Sequence, residues 1–297
     1  MKNYTNIAIV ASFFALWMDS FLSTKNQIFM GFLFIFSFGI LHGANDLLLI
    51  KNIIAQNRSN SWLKIFTYYV IIVLAGILLF YIIPQFALLL FIIVSANHFG
   101  EQQWQKLNSL FPKTLVVVYQ SLYGMIVLLL LFNFHSNQVK DIIKTITHFI
   151  IPKELLLYTL QASIVLFLII SSYFCWKIEK IRKKIILELF FLFVFAILFK
   201  SSSLIWGFAI YFVLWHSIPS IIDQIKFLNK SFTFPNFFNY CKSAGVYWLI
   251  SIIGIALIYY RYQEEELFNA LFFSFLAAIT FPHTIVINKM FKRKEKV

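Results

Sequence analysis

The sequence predicts an all-α fold, a polytopic membrane bundle of about ten transmembrane helices, and three observations support this. Of 297 residues, 61% are hydrophobic and only 12% charged, more apolar surface than a soluble core of this size can hide. The apolar residues fall in runs of spanning length separated by short polar links. The basic residues sort to one side of those runs, as the positive-inside rule requires. No link is long enough to form a soluble domain, so residues 1–297 read as a single transmembrane domain. The net charge of +13 therefore belongs to loops at a membrane face, with no nucleic-acid partner implied. Cys175 and Cys241 are too few for a disulfide framework or a cysteine metal site.

In chain order the runs lie at 5–23, 28–50, 63–81, 84–104, 112–134, 154–176, 184–199, 203–222, 243–260 and 267–288. The first places Lys2 before Ile7 to Trp17 like a signal peptide, but Met18 to Leu22 lacks the small residues of a cleavage site, so it reads as a retained helix. The boundaries at Pro84 and Lys200 are the weakest, which leaves eight or nine helices as alternatives. Val139 to Ile151 is partly amphipathic and suits the membrane surface. With ten helices, 19 of the 25 Lys and Arg residues fall on the side of the two termini, Arg58 and Lys296 among them. Only Lys25, Lys140, Lys144, Lys153, Lys200 and Arg261 fall opposite. This predicts a multi-pass protein of the cell membrane with both termini cytoplasmic.

Four of the six histidines interrupt these runs. They occur as Leu41-His42-Gly43-Ala44-Asn45-Asp46, Asn97-His98-Phe99-Gly100-Glu101, Trp215-His216-Ser217 and Phe281-Pro282-His283. Ionisable groups within spans are expensive and point to function. All four fall on even-numbered helices near their inner ends; at ~1.5 Å per residue His42 stands ~12 Å from Ile50 and His216 ~9 Å from Ile222. They can therefore share one layer and one metal ion. Histidines without cysteine favour iron, copper, zinc or nickel over magnesium or calcium. The competing reading, four separate core histidines each bonded to a neighbour, does not explain their common depth. His135 and His148 read as solvated residues in or beside an outer loop.

Asp46 is four residues after His42 and Glu101 three after His98, so each shares a helix face with its histidine. Either carboxylate can accept the outer N–H of a metal-bound imidazole and fix its tautomer. An interfacial charge at a helix end is an equally good reading of Glu101 and a weaker one of Asp46. Gly43 and Gly100 permit close helix approach. Pro219 and Pro282 remove helix hydrogen bonds beside His216 and His283, and the expected kinks open space at the metal. Apolar, aromatic walls suit a substrate arriving from the bilayer, with Trp215 and Ser220 as candidate lining residues.

Together these four motifs resemble the Brp/Blh family of membrane-bound β-carotene 15,15′-dioxygenases associated with microbial rhodopsins. The resemblance runs from the second predicted helix to the last. It implies a non-haem Fe(II) held by histidines, O2 as co-substrate, and cleavage of the central double bond of a lipid-soluble carotenoid to two molecules of retinal. It also implies a retinal-binding rhodopsin as product acceptor. The family often has a second histidine one turn after the position of His216, where this chain has Ser220. Either His283 completes the ligand set or the chain belongs to a divergent branch. Two other functions compete. A lipid desaturase or hydroxylase would carry HxxxH and HxxHH boxes, which are absent. A proton- or metal-coupled transporter would show internal repeats, and none is visible.

Overall fold

The computed structural model describes residues 2–54, 62–262 and 264–294, and every regular element among them is helical. The helices are α1 (Lys2–Asp19), α2 (Thr24–Phe34), α3 (Asp46–Ile54), α4 (Trp62–Ile82), α5 (Pro84–Trp104), α6 (Lys113–Phe134) and α7 (Ser136–Thr147). There follow α8 (Lys153–Lys177), α9 (Glu179–Ser201), α10 (Leu204–Ile210), α11 (Ile218–Asn229), α12 (Phe234–Arg261) and α13 (Glu265–Lys294). Two π-helical stretches, Ile35–Gly39 and Tyr211–Ser217, lie after α2 and between α10 and α11. Arg58 and Lys296, counted above among the inner basic residues, lie outside the described residues.

Among the described residues, six helices are long and apolar enough to cross a membrane: Leu63–Ile82, Lys113–Phe134, Glu154–Lys177, Leu204–Asn229, Phe234–Arg261 and Leu267–Arg293. They coincide with six of the ten predicted runs. The other four differ for physical reasons. The apolar part of α1, Tyr4–Asp19, is short. The run 28–50 is broken between α2 and α3. The last turns of α5 carry Asn97, His98, Glu101, Gln102 and Gln103, and α9 opens on Lys180, Arg182, Lys183 and Lys184 with Glu188 one turn further on.

The helices group into two compact units. The first comprises Met1–Leu33, Ser95–Lys140 and Ile150–Trp215. Here α5 and α6 touch backbone to backbone: a Cβ added at Gly100 would stand 1.8 Å from the Gln120 carbonyl oxygen, and one at Gly124 would stand 1.9 Å from that of Ala96. The close approach expected at Gly100 is thus present. On the far side of α6, Tyr119 stacks on Phe167 of α8 at 4.5 Å and its hydroxyl bonds to Ser171. Glu188 of α9 is buried and accepts hydrogen bonds from Gln103 and Tyr123. His135, read as solvated, is half-buried and its Nε2 donates to the Phe199 carbonyl at 2.9 Å.

The second unit comprises Phe34–Val94, Asp141–Phe149 and His216–Val297. Its core joins Leu49 of α3 to Val286, Ile287, Met290 and Phe291 of α13, with Tyr69 of α4 packed against them. Gly76 brings α4 close to α13, since a Cβ there would lie 3.1 Å from Phe281 Cδ2. On the other side, Trp248 of α12 donates to the Phe36 carbonyl at 2.7 Å. α7 occupies most of the predicted amphipathic segment, and His148 follows it, exposed and at φ 56°.

Candidate metal centre

His42 sits where a helix gives way. After the π-helical stretch its amide still bonds four residues back, to Phe38, but Gly43 and Ala44 bond only three back, to Ile40 and Leu41, and α3 then starts afresh at Asp46. A break inside an apolar layer leaves backbone carbonyls that must find donors. Gln224 of α11 supplies one, donating Nε2 to the His42 carbonyl at 2.8 Å. Tyr240 of α12 donates its hydroxyl to Gln224 Oε1 at 2.7 Å. Asn45 closes the network, donating to the Tyr240 carbonyl and accepting from the Ser243 hydroxyl, each at 2.9 Å. His216 lies in the second π-helical stretch, and His283 follows Pro282 inside α13. Local π-helix is rare and recurs at functional sites because it re-aims side chains that a regular helix would place elsewhere.

The three imidazoles of this unit converge. The His42 ring centroid is 5.1 Å from that of His216 and 4.7 Å from that of His283, both nearly edge-on. One ring nitrogen from each lies within 4.8 Å of those offered by the others. The residues are only 6%, 1% and 3% exposed in the order His42, His216, His283. Two nitrogens sharing an ion at about 2.1 Å stand no more than about 4.2 Å apart, so the cluster is close to the spacing a shared ion needs.

The tautomers of two rings follow from their outer partners. His42 Nδ1 meets the Gly39 carbonyl and so must donate to it. His283 Nδ1 donates to Asp46 Oδ1 at 2.8 Å. Both assignments make Nε2 the ligand nitrogen. Asp46 therefore serves a different histidine from the one that helical spacing predicted, because the turn at 42–45 ends the shared helix face. It is buried at the start of α3.

His98 is also buried, on α5 with Glu101 one turn on, likewise buried, and belongs to the first unit. Among the described residues of the second unit, His42, His216 and His283 make up a candidate metal-binding set, and neutral imidazoles without thiolate fit a non-haem iron or another first-row transition metal. The remaining predicted residues take other roles. A Cβ at Gly43 would make only ordinary contact with His283 Nδ1, at 3.7 Å. Trp215 donates Nε1 to Ser12 at 2.9 Å and packs on Phe191 and Phe195, within its own unit. Ser220 Oγ accepts from Gln224 at 3.0 Å.

Sequence reading missed Gln224, Tyr240 and Tyr69, whose hydroxyl donates to Asp46 Oδ2 at 3.0 Å. Gln224, a buried amide two residues past a predicted span, left a faint signal. Tyr69 is one of 14 tyrosines and left none.

A family model described as beta-carotene 15,15'-dioxygenase matches residues 33–291, a stretch that includes every histidine of the set. No curated protein and no solved structure matches the chain.

Proposed function

The chain belongs to the beta-carotene 15,15'-dioxygenase family, and from that membership we propose that it cleaves the central double bond of β-carotene or a related carotenoid with O2, at a non-haem Fe(II) held by His42, His216 and His283 together with His98. The observation that carries this reading is the convergence of three buried imidazoles, two with their outer nitrogens already committed. Fe(II) in that set would supply the redox-active centre that opens O2 to reaction with an alkene. The overall change breaks one C=C bond and the O–O bond and forms two C=O bonds, with no proton gained or lost.

The protein's part is to hold and to exclude. The Gly39 carbonyl and the Asp46 carboxylate keep Nδ1 protonated on His42 and His283, which fixes both rings and directs Nε2 to the metal. The carboxylate also offsets positive charge brought into a buried site. Gln224 of α11 satisfies the His42 carbonyl at the break, Tyr240 of α12 holds Gln224 in place, and Asn45 ties the turn to the Tyr240 carbonyl, so partners from neighbouring helices support the broken helix. Apolar surroundings suit a polyene dissolved in the bilayer, which would reach the iron sideways without entering water.

Cells that make β-carotene and this protein should lose orange colour and gain retinal, and the His42→Ala variant should do neither. Wild-type protein that loads iron yet leaves β-carotene and related carotenoids intact under air would overturn the activity.

A further inference from the structure

We propose that Tyr69 is a positioning residue for the metal centre, acting through Asp46 on His283; this rests on the centre proposed above. A carboxylate aims an imidazole only if it is itself held, and Asp46 has two oxygens to hold. Oδ1 takes the Nδ1 proton of His283 at 2.8 Å and Oδ2 takes the hydroxyl proton of Tyr69 at 3.0 Å. With both oxygens engaged, the carboxylate cannot rotate about its terminal bond without giving up one partner.

The Tyr69 hydroxyl is itself fixed by the helix that bears it. Its ring packs against the α3/α13 core of Leu49, Val286, Ile287, Met290 and Phe291. Tyr69 and Gly76 stand seven residues apart on α4, so they share a face, and Gly76 is where α4 closes on Phe281, two residues before His283. The chain Tyr69–Asp46–His283 thus ties α4, α3 and α13 to the orientation of one ligand ring. Because the overall reaction neither takes up nor releases a proton, this chain is not needed as a proton conduit. Its function is geometric.

The test uses the full chain purified in detergent, with Co2+ alone as the probe. Tyr69→Phe keeps the ring in its packing and removes only the hydroxyl, so the unfolding temperature should stay near wild type while the Co2+ dissociation constant rises about 10-fold, the lower end expected for an outer partner of a metal-bound histidine. In an Asp46→Asn background the same substitution should add nothing. Wild-type affinity in Tyr69→Phe, or an equal loss in both backgrounds, overturns the proposal. Metal-free protein labelled with 15N-histidine separates this from the proposed function. Tyr69→Phe should move the Nδ1 resonance of His283, identified by its absence in His283→Gln, and leave that of His42 in place. A wild type that binds no Co2+ but shows the shift refutes the metal centre and keeps the linkage; an unmoved His283 resonance refutes the linkage whatever the metal does.

Discussion

At the scale of single residues, the histidines differ in what supports them, and their substitutions should differ accordingly. Replacing His42, His216 or His283 by alanine should leave far less than one iron per purified chain, because losing one ligand opens the site. Full iron retention in His283→Ala would remove that residue from the ligand set. Asp46→Asn keeps the shape but changes the acceptor at Nδ1, and should weaken affinity or activity about 10- to 100-fold. Ser220→Ala should retain iron, since Ser220 Oγ is engaged by Gln224; iron loss there would make the serine a ligand after all. His135 offers a pH test away from the membrane spans. Burial lowers its pKa from the model-peptide value of 6.5, while its bond to the Phe199 carbonyl opposes that shift. A folded pKa below the unfolded one means that acid protonates the unfolded chain first, so stability present above about pH 6.5 is lost as pH falls from there through the lower folded value. His135→Gln should flatten this acid arm of the unfolding-temperature profile; an unchanged arm would assign it to other groups.

At the scale of elements, two features depart from regular helix packing. The α5–α6 crossing depends on Gly100 and Gly124, where a Cβ would come within 1.8 and 1.9 Å of opposing carbonyl oxygens. Gly124→Ala must push the two helices apart, and overpacking of this kind costs about 1–3 kcal/mol, readable as a lower unfolding temperature in detergent. Gly245, with nothing within 4 Å of an added Cβ, serves as the control, and an equal loss in Gly245→Ala would assign the effect to something other than the crossing. The break between α2 and α3 is the second departure. Helical spacing puts Asp46 on the face of His42, but the turn at 42–45 intervenes, and the carboxylate meets His283 instead. Spacing rules hold only within one unbroken helix. The same limit explains why Gln224 and Tyr240 were not legible as supports of His42: they meet its loop from other helices, and a backbone carbonyl in need of a donor leaves no mark on the residues that supply one.

For the whole molecule, the surplus of basic residues on one side predicts that reporter fusions at Lys2 and Val297 both read as cytoplasmic; opposite readings would defeat the ten-crossing arrangement. The sequence by itself determined that the chain is helical and apolar enough for a membrane, because apolar runs of spanning length are a local signal that needs no knowledge of neighbours. It also singled out His42, His98, His216 and His283, since an imidazole inside such a run is costly wherever the run packs. Tertiary structure alone decided which side chains serve them. The bond from His283 to Asp46 joins residues 237 positions apart, and that from Gln224 to the His42 carbonyl joins residues 182 apart. Neither contact lies within a helix, so no periodicity records it; each exists because separate helices pack and bring a partner to a buried break or carboxylate.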